Sequence, residues 1–82
     1  MTEPAIDPFD VVAGALGCAR RSLSPESGMY RTHGWDSLGH ISVIVALQEA
    51  YGFKISNDEM MRLDSMESIV EFCRRFGTAA ST

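Results

Sequence analysis

No run of roughly 18 apolar residues occurs in the 82-residue sequence, so no membrane-spanning helix is expected. Basic residues are scarce: seven Lys and Arg against eleven Asp and Glu leave a net charge of -4. Phosphate backbones are bound by basic patches, and Arg20-Arg21 and Arg74-Arg75 are only isolated pairs suited to helix ends; nucleic acid is not an expected partner. Cysteine is limited to Cys18 and Cys73, far apart and without ligand spacing, so no metal site is expected. Each falls in an apolar helical pattern, where a reduced thiol acts as a small hydrophobe. A disulfide between them is geometrically conceivable but disfavoured in a reducing compartment. The start, Met1-Thr2-Glu3-Pro4, has neither the basic segment nor the apolar stretch of a secretory signal, and a cytoplasmic monomer is expected. Strand-like alternation, internal repeats and low-complexity tracts are also missing. A chain this short buries only about 60% of its unfolded surface, which leaves little interior for a deep active site. The expectation is a carrier or binding module rather than an enzyme.

What is present reads as helices. Asp7-Pro8 can cap and open the first, with Phe9, Val12, Ala13 and Leu16 at helical spacing and Arg20-Arg21 at its negative end; residues 8–20 are expected to be helical. Residues 22–34 have no period and are broken by Ser24-Pro25, Ser27-Gly28 and Gly34. A loop of that length in so small a domain usually has a job. Asp36 can cap a second helix, residues 37–51, which Gly52 ends. Its apolar residues, Leu38, Ile41, Val43, Ile44, Val45, Leu47 and Tyr51, cover more surface than one core-facing stripe. Ser56-Asn57-Asp58-Glu59 begins a short third helix with Met60, Met61 and Leu63. A last helix, residues 65–76, turns Met66, Ile69, Val70, Cys73 and Phe76 inward. The expected fold is all-α, a bundle of three longer helices and one short one. Residues 8–76 form the domain, 1–7 and 77–82 are tails, and the C-terminal tail is expected to be disordered. Phe9, Leu16, Leu47, Tyr51, Ile55, Ile69 and Phe72 are expected in the core.

The stretch Gly34-Trp35-Asp36-Ser37-Leu38-Gly39-His40 places a serine hydroxyl in the first turn of a helix, after a long loop and beside a carboxylate. The electropositive helix start tolerates a phosphodiester there, and the loop leaves that end accessible to a modifying enzyme. Physics alone supplies only an exposed helix-start serine, which is common and usually silent.

Asp36-Ser37-Leu38, followed by Ala46-Leu47-Gln48-Glu49-Ala50-Tyr51-Gly52-Phe53-Lys54-Ile55, resembles the acyl carrier protein family. So do the Ser56-Glu59 helix start and the helix from Ser65 to Cys73. The resemblance covers residues 8–76 in element order and is strongest over 34–72. It implies that Ser37 bears 4'-phosphopantetheine, taken from coenzyme A by a phosphopantetheinyl transferase. Asp36 then matches the acidic residue before the attachment serine, and acyl-loading and acyl-processing enzymes are the further partners. Peptidyl carriers more often have Gly-Gly-His or Gly-Gly-Asp before that serine, so Asp36 leans acyl without excluding aminoacyl cargo. Fatty-acid carriers are typically acidic along the exposed side of the second helix. Here Gly39, Ser42, Gln48 and Ala50 stand at the matching positions with Glu49 remaining, which favours a polyketide, specialised lipid or other dedicated pathway. Leu38, Ile41 and Val45 run away from Ser37 along one side of the helix and are the expected docking line, unless the loop covers them.

Two rival readings exist. Ser37 and His40 lie three apart with Asp36 adjacent, which hints at a hydrolytic serine. Such a nucleophile also needs an oxyanion hole, an oriented base and a pocket, which a chain this small does not accommodate. The other rival is an unmodified helical module that only docks partners.

Overall fold

Asp7 accepts a hydrogen bond from the Phe9 N–H and Pro8 supplies the first helical residue, so α1 runs Pro8–Leu16 in the computed structural model, which describes residues 6–77. The helix stops four residues before the expected Arg20. Gly17 adopts a left-handed conformation (φ 71°) and turns its N–H back onto Ala13 and Gly14, which ends the helix. The chain then makes a 3₁₀ turn at Arg20–Ser22. Arg20 therefore folds back over α1 instead of sitting at its negative end. Its guanidinium pairs with Asp7 and Asp10 and lies 5.4 Å from the centre of the Phe9 ring.

The second helix, α2, spans Ser37–Tyr51 as expected, with Asp36 accepting from the Gly39 N–H and Gly52 closing the end. A complete Ser56–Glu59 capping box starts α3, Asn57–Arg62. Ser65 and Ser68 cap α4, Met66–Phe72, which continues as a wider π-type turn through Gly77. Among the described residues, no helix is long and apolar enough to cross a membrane. The four α-helices among the described residues form an all-α bundle, with α1 packed along α2. Most of the expected N-terminal tail, and 78–82 of the C-terminal one, lie outside the described residues, as does the Phe76 side chain. Ile6 and Asp7 are tied to the bundle, Ile6 through its carbonyl, which accepts from the Tyr51 hydroxyl.

The core differs from expectation in its centre. Leu47 and Ile69 are fully buried, but Phe9, Leu16, Tyr51, Ile55 and Phe72 are only half-buried. The innermost volume belongs to Val12, Trp35, Val43 and Met66. Much of the aromatic surface lies at the rim, where Tyr51 stacks on Phe53 and Phe53 meets Phe72 edge-on, both with centroids 5.2 Å apart. Cys73 is buried and Cys18 half-buried, and both thiols are free. Burial pushes the Cys73 thiol up from its ordinary value despite a hydrogen bond with Tyr51, so it is a poor nucleophile.

Candidate functional site

Ser37 is the first residue of α2, and three local features put it there. Asp36 spends a carboxylate oxygen on the Gly39 N–H at 2.9 Å, while its carbonyl accepts from His40 N–H at 2.8 Å. Gly39 lets the preceding loop lie directly on the first turn of the helix. A Cβ added there would stand 2.1 Å from the Gly34 carbonyl oxygen, so any other residue would push the loop away. The third feature is Trp35, one residue before the cap, whose ring packs against His40 four residues after it, with centroids 6.2 Å apart. This is the spacing of a hydrophobic staple, which sets the angle at which a chain enters a helix.

The staple here is also polar. Trp35 Nε1–H donates to His40 Nδ1 at 3.0 Å, and His40 Nε2 lies 2.8 Å from the Met60 carbonyl. Because the indole can only donate, Nδ1 is the acceptor and the ring proton sits on Nε2, directed at Met60. The imidazole is 5% exposed and both its nitrogens are engaged. The Ser37–His40 pairing that suggested a hydrolytic serine therefore does not form. His40 instead pins the end of the loop, α2 and α3 together.

The Ser37 side chain is exposed, and its Oγ lies 2.5 Å from the Tyr30 hydroxyl. Tyr30 reaches it from a loop braced at several points. Its own N–H donates to the Trp35 carbonyl at 2.7 Å, and the Met29 N–H donates to Asp64 O at 2.9 Å. Gly28 forms an isolated antiparallel bridge with Ser65, which ties the loop to the start of α4. Sequence reasoning gave Tyr30, Trp35 and Gly39 no part in positioning Ser37. The Trp35-to-His40 spacing around the Asp36 cap was a readable signal for the second; nothing local marked the other two.

Most other serine hydroxyls among the described residues are occupied by local structure, and the exposed Ser22 and Ser42 stand at the end of the 3₁₀ turn and within α2 rather than at a helix start. Ser27 accepts from Ser24 N–H, Ser56 from Glu59 N–H and Ser65 from Ser68 N–H, while Ser68 Oγ donates to the Ser65 carbonyl. Ser37, by contrast, presents its oxygen to solvent beside a phenol. An exposed hydroxyl at the start of a 15-residue helix suits covalent attachment of a long arm through a phosphodiester.

Leu38, Ile41 and Val45 are 76%, 52% and 43% exposed; the loop does not cover them. Two of the non-acidic positions on this helix have structural work: Gly39 admits the loop, and Gln48 Oε1 accepts the Ile55 N–H at 2.9 Å. Among the described residues, no group of three or more His, Cys, Asp and Glu side chains could hold a metal ion. The family model described as "Phosphopantetheine attachment site" matches residues 9–78.

Proposed function

The chain belongs to the phosphopantetheine attachment site family, whose domains bear a covalent 4'-phosphopantetheine arm and are carriers rather than catalysts, and from that premise we propose that it is an acyl carrier protein with its arm on Ser37. The observation that carries this reading is the exposed Ser37 hydroxyl at the first residue of α2. When attached, the arm supplies a terminal thiol that holds cargo as a thioester. The protein's own residues present and orient that arm. Asp36 caps the helix that carries the serine, and Gly39 and the Trp35–His40 contact hold the loop against it. During loading, the Ser37 Oγ–phosphorus bond forms and the pyrophosphate P–O bond of coenzyme A breaks. Adenosine 3',5'-bisphosphate leaves, and the serine proton passes to a base of the transferase.

Asp36 before the serine favours acyl over aminoacyl or peptidyl cargo. The sparse acidic flank of α2 favours a polyketide or specialised lipid pathway over housekeeping fatty-acid synthesis. Docking of loading and processing enzymes runs along Leu38, Ile41 and Val45, adjacent to the arm. Few acidic residues flank this line, so apolar contact dominates and association depends only weakly on salt.

The test is intact-protein mass spectrometry of the wild type and Ser37→Ala after incubation with coenzyme A, magnesium and a broad-specificity transferase. The wild type should gain one phosphopantetheine and the variant none. Modification of the alanine variant overturns the assignment to Ser37, and no modification of either favours the unmodified docking module. Subsequent incubation with acyl-loading and with aminoacyl-adenylating enzymes separates the two kinds of cargo.

A further inference from the structure

Tyr30 has a combination of properties that packing does not explain. Among the described residues it is the one non-glycine with a positive φ, 66°. Bulky side chains seldom adopt that conformation, and they keep it only where surrounding structure over-determines it. Here the surroundings do so: Tyr30 N–H is held by Trp35 O, and Gly28 O accepts from both Arg31 and Thr32 N–H. The residue is nevertheless 71% exposed, so core burial does not offset the strain. What the strained residue reaches is the Ser37 oxygen, at 2.5 Å.

We propose that Tyr30 is a positioning residue for the prosthetic arm. Its phenol holds the Ser37 hydroxyl before loading and donates to the phosphodiester at the root of the arm afterwards. The proposal rests on Ser37 being the attachment point. Before loading, either oxygen can donate to the other. Esterification removes the serine proton, so the phenol becomes the sole donor of the pair. The non-bridging phosphate oxygens lie two bonds beyond Oγ, on the phosphorus, and carry the negative charge. An O–H···O⁻ bond of this kind is shorter and stronger than a neutral one. Tyr30 neither takes nor supplies a proton in the transfer. It reduces the orientations in which the arm leaves the protein, tethering the root on the loop side of α2 rather than letting it turn as it would on a peptide.

The experiment compares wild type, Tyr30→Phe and Ser37→Ala, each taken through loading with coenzyme A and transferase. Tyr30→Phe keeps the ring and removes only the hydroxyl. In its loaded form the phosphodiester ³¹P resonance should move toward that of the same arm on an unstructured serine peptide. Its loading kcat/KM should fall about fivefold, the ratio for one ordinary hydrogen bond. A second measurement needs no variant: in the wild type, the Tyr30 ¹³Cζ resonance should shift on loading while that of Tyr51 stays in place. Unchanged ³¹P and ¹³Cζ resonances with normal loading overturn the role of Tyr30 and leave Ser37 intact. A wild type that gains no arm, or a Ser37→Ala variant that does, overturns the attachment reading and Tyr30 with it, and the mass spectrum tells the two failures apart.

Discussion

On one side of α2, Val43, Ile44 and Leu47 are buried with His40 among them; on the other, Leu38, Ile41 and Val45 remain 43–76% exposed. Both sides are rich in branched aliphatic residues, so hydrophobicity alone does not distinguish them. What does is the neighbour: α1 packs along one side of the helix, and the other side is left largely open to solvent. The two faces also differ in how polarity is handled. His40 on the inner face has both ring nitrogens satisfied by Trp35 and Met60, as a buried polar group requires. The outer face begins at Ser37, whose hydroxyl meets only an exposed phenol. A helix apolar all round can therefore serve as core and as contact surface together, provided its partner elements occupy only one side.

The largest test of this contrast is Leu47→Ala on the inner face. Leu47 has no exposed surface, and truncating such a residue costs about 2–5 kcal/mol. Denaturant titration should register the loss, and an unchanged midpoint would mean that the inner face is assigned to the wrong residues. His40→Leu should come next, at about 1–3 kcal/mol, because it leaves the Trp35 Nε1–H buried without an acceptor. Trp35 is the protein's single tryptophan, so its fluorescence reports the change directly.

A smaller effect separates this buried polar contact from the exposed one at the rim of α1. Partial burial pushes the Asp7 carboxyl up, but the Arg20 hydrogen bond, the Phe9 N–H and the Arg20 charge outweigh it and hold it below its ordinary 3.8. A lowered folded-state value stabilises the protein above the ordinary pKa, and that contribution is lost as pH falls through the folded value. Asp7→Asn keeps an equally good cap while removing the charge. It should flatten the loss of stability below about pH 4 and change the stability at neutral pH by less than about 1 kcal/mol, since the pair is exposed. Urea midpoints measured from neutral to acidic pH check both points. Val45→Glu, on the outer face, should shift stability by no more than about 0.5 kcal/mol. It should be loaded normally by the transferase yet be processed poorly by enzymes that dock along the apolar line. If Val45→Glu unfolds the protein, the difference between the two faces of α2 is broken.

Legibility in the sequence tracked locality. Capping bonds join residues three or four apart, so Asp36 with Gly52 and Ser56 with Glu59 marked α2 and the start of α3 without any knowledge of the fold. By the same logic the Gly34–His40 stretch announced a serine at a helix start. The end of α1 was just as local but was overrun: Arg20-Arg21 read as the basic end of the helix, whereas Gly17 in a left-handed conformation ended it at Leu16. The core residues expected from periodicity were right in type and shifted in depth. Period identifies a face, but not which turn of the helix lies at the bundle's centre, and Phe9 and Phe72 fell at its rim.

Other features depended on contacts that no window along the chain contains. That the inner face of α2 is Val43, Ile44 and Leu47 rather than Leu38, Ile41 and Val45 depends on where α1 lies. That His40 is a structural pin and not a base follows from an indole on one side and the Met60 carbonyl, twenty residues away, on the other. The reach of Tyr30 to Ser37 depends on a loop tied at Gly28 to Ser65 and laid on Gly39. The sequence alone therefore determined the helices, their caps and the serine at the head of α2, because helix starts are decided by bonds within one turn. Only the tertiary structure decided which apolar residues are interior and what surrounds that serine, because burial and long-range hydrogen bonds exist only once distant segments are packed together.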